Sequence, residues 1–290
     1  MPLSHIALLL LVNLGWGGNF VAVKVGLAEM GPLFLSAFRF AILLVILLPW
    51  LRIKPGQMKG IFWIALAGGP LHFGAIFTGL QMIGGAASAA MLAQLGVPCT
   101  ILLAMIFLRE RVGPWRLLGM VLAFAGVAVM SFDPAVFEHL DGVAVMILSQ
   151  LAYGVASILM RRLKGVSVFE LQAWIALVSA PFLFAASFLF ESGHAQQLQD
   201  LSWTGIGAVA YTVVGASIIG HGGIYFLYQR HPVSVIAPYL LLAPVFGVLG
   251  AVLVLGEVLT ARMVIGGLII FAGVAIVTLR ELHRARQAGM

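Results

Sequence analysis

The sequence predicts an all-α, polytopic membrane protein of ten transmembrane helices arranged as two inverted five-helix repeats. Three observations carry that expectation. With 62% hydrophobic and 9% charged residues in a chain of 290, and a mean hydropathy of +1.11, there is too little polar surface to face water, so lipid must cover the molecule. Residues 80–130 align on 227–277 without a gap: Leu108-Arg109-Glu110 answers Leu255-Gly256-Glu257, Gly119 answers Gly266, and Ala125-Gly126-Val127-Ala128 answers Ala272-Gly273-Val274-Ala275. The charge bias of the connecting loops reverses between the two copies, as inversion requires.

Breaking the chain at charges and turn residues gives runs near 5–26, 33–51, 60–81, 86–108, 114–131, 142–160, 168–190, 203–228, 234–255 and 261–280. Each approaches the length that a helix needs to cross roughly 30 Å of hydrocarbon. The first run lacks a basic n-region and a small-x-small cleavage site, so it is expected to be retained as a helix. It carries Asn13, Trp16 and Asn19 at spacings of three on one broad face, with Gly15, Gly17 and Gly18 permitting close backbone approach. Leu14 to Lys24 corresponds weakly to Leu151 to Arg161, which sets Trp16 against Tyr153.

The second run contains Arg39, which costs about 2.5 kcal/mol or more to insert and must have a partner. Three uses compete: an anionic substrate group, a clamp onto a neighbouring helix, or a side chain snorkelling outward. The third run holds His72 after Gly68-Gly69-Pro70 and closes on Gly84-Gly85, a predicted tight turn. The fourth offers Gln94 beside Pro98, and the lone Cys99, which excludes an intrachain disulfide and is expected to pack. The fifth carries Gly119 and Gly126, which suit tight helix packing. No strand-turn-helix context makes any glycine cluster a phosphate loop.

The sixth run presents Gln150, Tyr153 and Ser157 on one face. The eighth contains His221 in Gly220-His221-Gly222-Gly223, followed by Tyr225; His221 lies two positions out of register with His72. Each histidine is expected to face the bundle interior, either bonded between helices or lining a cavity, and both could titrate near neutrality. The ninth adds Tyr239 between Pro238 and Pro244. The tenth closes the repeat with Gly266 and Gly273. Helix-to-helix hydrogen bonding could account for any one of these polar groups, whereas their convergence on corresponding helices favours a lined cavity.

Sidedness follows from the basic residues. Arg52, Lys54, Lys59, Arg109, Arg111, Arg116, Arg161, Arg162, Lys164, Arg230, Arg280, Arg284 and Arg286 share one face, while Asp133, Glu138, Asp141, Glu191 and Asp200 take the other, with Lys24 and Arg262 as minority positives. Both termini are therefore expected in the cytoplasm. Topology explains the net charge of +6 better than nucleic acid does. The expected units are repeat 1 over 1–131, repeat 2 over 142–280 and a basic tail over 281–290. No metal site or cofactor is expected, because neither histidine run holds a Cys, Asp or Glu at ligand spacing. No carboxylate lies deep within a run, which disfavours a pump built on intramembrane Asp or Glu.

Trp16-Gly17-Gly18-Asn19-Phe20-Val21-Ala22-Val23-Lys24, then Pro32 and Arg39-Phe40, resemble the start of EamA-type members of the drug/metabolite transporter superfamily. The resemblance continues through Pro98, Glu110-Arg111, Gly119, Gly126, Ala237-Pro238, Pro244, Glu257, Gly266 and Gly273. It implies a carrier in the bacterial inner membrane, usually an exporter of small metabolites such as amino acids. Within the family the chain is most similar to the cysteine and O-acetylserine type, although relatives often carry an aromatic residue where His221 stands. By resemblance Trp16, Asn19, Arg39 and the segment around His72 face the interior.

The expected function is secondary transport of a small metabolite by alternating access. Trp16, Tyr153, Tyr225 and Tyr239 would offer aromatic walls, Asn19, His72, Gln94, Gln150 and His221 hydrogen bonds, and Arg39 a possible charge. The partners are the substrate and the bilayer. Oligomeric state is open, and a monomer is consistent with the architecture. A membrane-embedded enzyme or a non-transporting assembly or sensor subunit are the rivals; His139, His194 and His231 lack the spaced partners an enzyme would need.

Overall fold

A computed structural model describes the chain except residues 84–91, 94–95, 110–111, 132–137, 257 and 288–290. Glu110, Glu257, Gln94, Arg111, Asp133 and the Gly84-Gly85 turn lie outside the described residues. The helices follow the runs in order: α1 Leu3–Leu27, α2 Pro32–Leu47, α3 Met58–Met82, α4 Gly96–Phe107, α5 Pro114–Ser131, α6 Leu140–Arg162, α7 Val168–Phe190 and α8 Trp203–Tyr228. Next come α9, which is Val233–Ile236, a 3₁₀ stretch Ala237–Leu242 and Ala243–Leu255 in succession, and α10, Ala261–Gln287. No strand occurs among the described residues. Helix α10 runs past the expected boundary at 280, because Leu, Arg, Glu, Gln and Ala in Arg280–Gln287 all favour helix.

Polarity is inverted relative to a water-soluble protein. Asn13, Arg39, Gln150 and Gln172 are buried, whereas Leu14, Val45, Phe188, Leu189, Leu253 and Leu268 are exposed on the outer surface. Six helices (α1, α2 with its following turn, α3, α6, α7 and α8) are each long and apolar enough to cross a membrane, and helices satisfy every backbone group internally where water is absent.

The helix pairings exchange when the repeats are exchanged. Helix α1 packs on α8 and α9, and its counterpart α6 packs on α3 and α4; α2 packs on α7, and α5 on α10. The self-paired helices show the sense of the symmetry. A Cβ on Gly119 would lie 2.6 Å from the carbonyl oxygen of Gly273, one on Gly273 2.5 Å from that of Gly119, and one on Gly126 2.7 Å from that of Gly266. These contacts run in opposite directions along α5 and α10, so equivalent helices are antiparallel and the repeats are inverted. Helices α2 and α7 agree: Phe34 meets Phe184 at 6.0 Å near one end and Trp50 meets Phe169 at 5.5 Å at the other.

Both membrane faces tie the halves together. On one, Glu191 at the end of α7 accepts from the backbone N–H groups of Leu33 and Phe34 at 2.7 and 2.9 Å, supplying from another helix the cap that Pro32 at the start of α2 does not. Ser202 donates to Glu29 from its hydroxyl at 2.7 Å and its backbone at 2.8 Å, and that hydroxyl, then the backbone N–H, holds the Glu29 carboxyl below the ordinary carboxylate range. On the other face Lys54 pairs with Glu170 at 2.9 Å, Trp174 donates to the Arg52 carbonyl at 3.0 Å, and His5 Nδ1 lies 2.6 Å from His231 Nε2. Burial first, then His5, depresses the His231 pKa.

Candidate functional site

Between the halves lies a cavity of about 470 Å³, walled by α1, α3, α4, α6, α8 and α9. It extends from a cluster of rings toward the face where α1 ends at Leu27, α3 reaches Gln81 and α6 presents Met146. The rings are Trp16 on α1, His72 on α3, Tyr153 on α6 and His221 on α8. Trp16 and His221 stand 5.0 Å apart by ring centroid, as do His72 and Tyr153; Trp16 and Tyr153 are 6.4 Å apart. Each histidine therefore packs on the first-helix aromatic of the opposite repeat, and the cluster obeys the same exchange as the helices.

Backbone distortion puts the histidines there. Helix α3 opens into a wide turn over Ala67–Leu71, with Pro70 inside it and Gly69 at φ −107°, ψ −106°, and α8 is wide over Thr212–His221. Wide turns shift the register of everything that follows and recur at functional positions. Gly69 is small because Ser179 of α7 occupies the space a Cβ would need, and Gly220 because the Trp16 indole nitrogen rests on it. His72 Nδ1 is 3.1 Å from the Ser149 carbonyl and 2.9 Å from the Ser149 hydroxyl, which donates to the His72 carbonyl at 3.0 Å. With that hydroxyl proton committed, Nδ1 carries the imidazole proton and Nε2 is left as an acceptor.

Of the residues that line the cavity, Trp16 Nε1, Asn19 Oδ1, Gln150 Nε2 and His221 Nδ1 are buried polar atoms without a hydrogen-bond partner among the described residues. Buried polar groups are normally paired, and leaving one unmade costs about 1–3 kcal/mol. Phe73, Ile76, Phe77 and Leu80 complete an apolar side, and Lys24 contributes the cavity's one lining cation among the described residues, near the mouth. No Asp or Glu of the described residues lines it, and no group of three His, Cys, Asp or Glu among them could hold a metal. Such a wall can stack a small molecule and hydrogen-bond it.

The structure thus brings Trp16, Asn19, His72, Gln150, Tyr153 and His221 together on one wall. Asn13 turns back onto its own helix, donating to the Leu9 carbonyl at 2.6 Å. Arg39 lies behind the wall: Nη2 donates to Ser217 Oγ at 3.0 Å, and the guanidinium sits 4.3 Å from the Phe73 ring centre and 5.1 Å from that of Phe40. Tyr225 is beside it, one turn beyond His221, while Tyr228 reaches the cavity. Tyr239 is buried off the wall, because the three-residue period of the 3₁₀ stretch brings Leu240 and Ala243 to the cavity instead. Ser149, Gln172 and Ser217 were not singled out by sequence; a Gln five residues into the apolar run at 168–190 was the available signal for Gln172.

The EamA-like transporter family matches the chain twice, over residues 3–132 and 140–279. A probable amino-acid metabolite efflux pump of Salmonella typhimurium is 29% identical, with 93% of each chain covered, and its Escherichia coli counterpart is 29% identical with the same coverage. An uncharacterized transporter of Archaeoglobus fulgidus is 26% identical over 90% of this chain and 94% of its own. One solved crystal structure superposes with a TM-score of 0.80 at 20% identity, covering 97% of this chain and 99% of the other.

Proposed function

Because the chain belongs to the EamA-like transporter family, we propose that it exports small amino-acid metabolites across the bacterial inner membrane by alternating access. The relatives from Salmonella typhimurium and Escherichia coli supply the substrate class and direction. The observation that carries the reading is one cavity between the halves, lined by Trp16, Asn19, His72, Gln150, Tyr153 and His221, with a ring cluster on the two-fold. Residues 1–131 and 142–280 are the two units that rock, and 281–290 follows them as a basic tail. Both termini are cytoplasmic, which makes the cavity outward-facing. Cysteines placed near Met1 and at the C-terminus should react with impermeant reagents only after the membrane is opened. Labelling of the two ends from opposite sides would exclude the proposed topology.

Substrate is bound by Trp16, Asn19, His72, Gln150, Tyr153 and His221, with Arg39 and Tyr225 as a supporting layer. The uncharged floor and the Lys24 mouth suit a zwitterionic or partly apolar molecule. In proteoliposomes, radiolabelled amino acids and nucleobases tested for counterflow, with and without a pH gradient, should show exchange for a subset of the amino acids. His72→Ala and His221→Ala should each lower that exchange about tenfold at unchanged membrane abundance, as expected for a lost buried hydrogen bond. Absence of exchange for the whole panel points to a non-transporting subunit, and full exchange in both variants removes the histidines from the mechanism.

A further inference from the structure

Arg39 is a buried cation without a counter-ion among the described residues. Its residue is 1% exposed, Nη2 bonds a neutral hydroxyl, and Nε and Nη1 have no partner among the described residues. Cation-π contacts with Phe73 and Phe40 spread the charge without cancelling it. A bare guanidinium at this depth is costly, and intramembrane charges are almost always paired.

Beside it lies a small void of about 10 Å³, between α2, α3, α7 and α8, to which Arg39, Gln172, Ser217 and Tyr225 contribute. Gln172, 2% exposed, lines the same void, and its Nε2 is a second donor without a partner among the described residues. The space is about that of one small sphere. It excludes sulfate, phosphate and any metabolite carboxylate, and Phe73 and His221 stand between it and the large cavity. Water would satisfy the N–H groups and leave the charge. A monatomic anion does both.

We propose that this void binds a single halide, chloride in the cell, held by the free N–H groups of Arg39 and Gln172 and locking α2 to α7 and α8. The site lies behind the substrate-binding wall, against its supporting layer, and stands whether or not the transport proposal holds. The test is thermal unfolding of the purified protein, without substrate, as sodium chloride replaces sodium gluconate at constant ionic strength. Ligand binding to the folded state alone should raise Tm saturably by about 5 °C. Bromide should reproduce the rise and sulfate should not. Gln172→Leu, which keeps the arginine, should shift the midpoint to at least about tenfold higher chloride, and Arg39→Met, if it folds, should abolish the effect. Crystals soaked in bromide should show an anomalous peak beside Arg39. Equal Tm in chloride and gluconate, a non-saturating rise shared by wild type and Gln172→Leu, or no bromide peak would each overturn the site in favour of water.

Discussion

Replacing Gly119 or Gly273 with valine is expected to lower Tm by at least about 5 °C and to deplete the folded fraction recovered from the membrane. The new Cβ at either position meets a backbone carbonyl of the partner helix at 2.6 or 2.5 Å. No rotamer change relieves a clash with backbone, so α5 and α10 must separate along a seam that buries Ala123, Val127, Ile270 and Val277 completely. In a bilayer the attraction between such helices is packing rather than exclusion of water, and it fades as soon as they part. Overpacking of this kind costs about 1–3 kcal/mol for one substitution, and the double variant should cost less than the sum because both residues load one contact. Gly267→Val is the control: a Cβ there meets nothing within 4 Å, although Gly267 adjoins Gly266 in the seam. Equal Tm for Gly119→Val and Gly267→Val would show that the inferred crossing of α5 and α10 is wrong.

The same glycines explain why the fold was legible. Gly119, Gly126, Gly266 and Gly273 are unusual in sequence for the reason they are necessary in space: four positions where two equivalent helices touch by backbone. The repeat could therefore be read before any contact was known, and the reversed charge of the loops gave its inversion. The interior faces were harder to read. Lipid and protein core are equally apolar, so a helix here has no strong amphipathic signature to separate them, and only polar residues mark an inward face. Trp16 and Asn19 did so. Tyr225 and Tyr239 are inward too, but on other parts of the interior, and nothing in spacing distinguishes a cavity from a core. The wide turns of α3 and α8 were invisible, since a fifth residue in a turn leaves no mark on an apolar run; they account for the offset between His72 and His221. Arg39 announced its cost in the sequence but not its surroundings, because Ser217 and Phe73 come from distant helices.

Trp16→Ala is expected to reduce exchange about 100-fold at unchanged abundance, since it removes both a large ring and a buried donor, together about 3 kcal/mol. Trp16→Phe separates the two: it keeps the ring against His221 and should lose about tenfold through the indole N–H alone. If Trp16→Phe matches wild type for every exchanged substrate, the N–H does not reach the substrate. The two-fold arrangement makes the prediction directional as well. Trp16 belongs to the first repeat and grips His221 of the second, while Tyr153 of the second grips His72 of the first. In an inverted pair, rocking one half against the other must loosen one grip as it tightens the equivalent one. Truncating Trp16 and truncating Tyr153 should accordingly bias the carrier toward opposite faces. The measurement is the reactivity of a cysteine introduced at Leu27 in the mouth of the cavity, which should rise in one variant and fall in the other. A shift of the same sign in both would mean that the two grips are not coupled through a shared rocking motion, and the ring cluster would then be a binding surface without a part in gating.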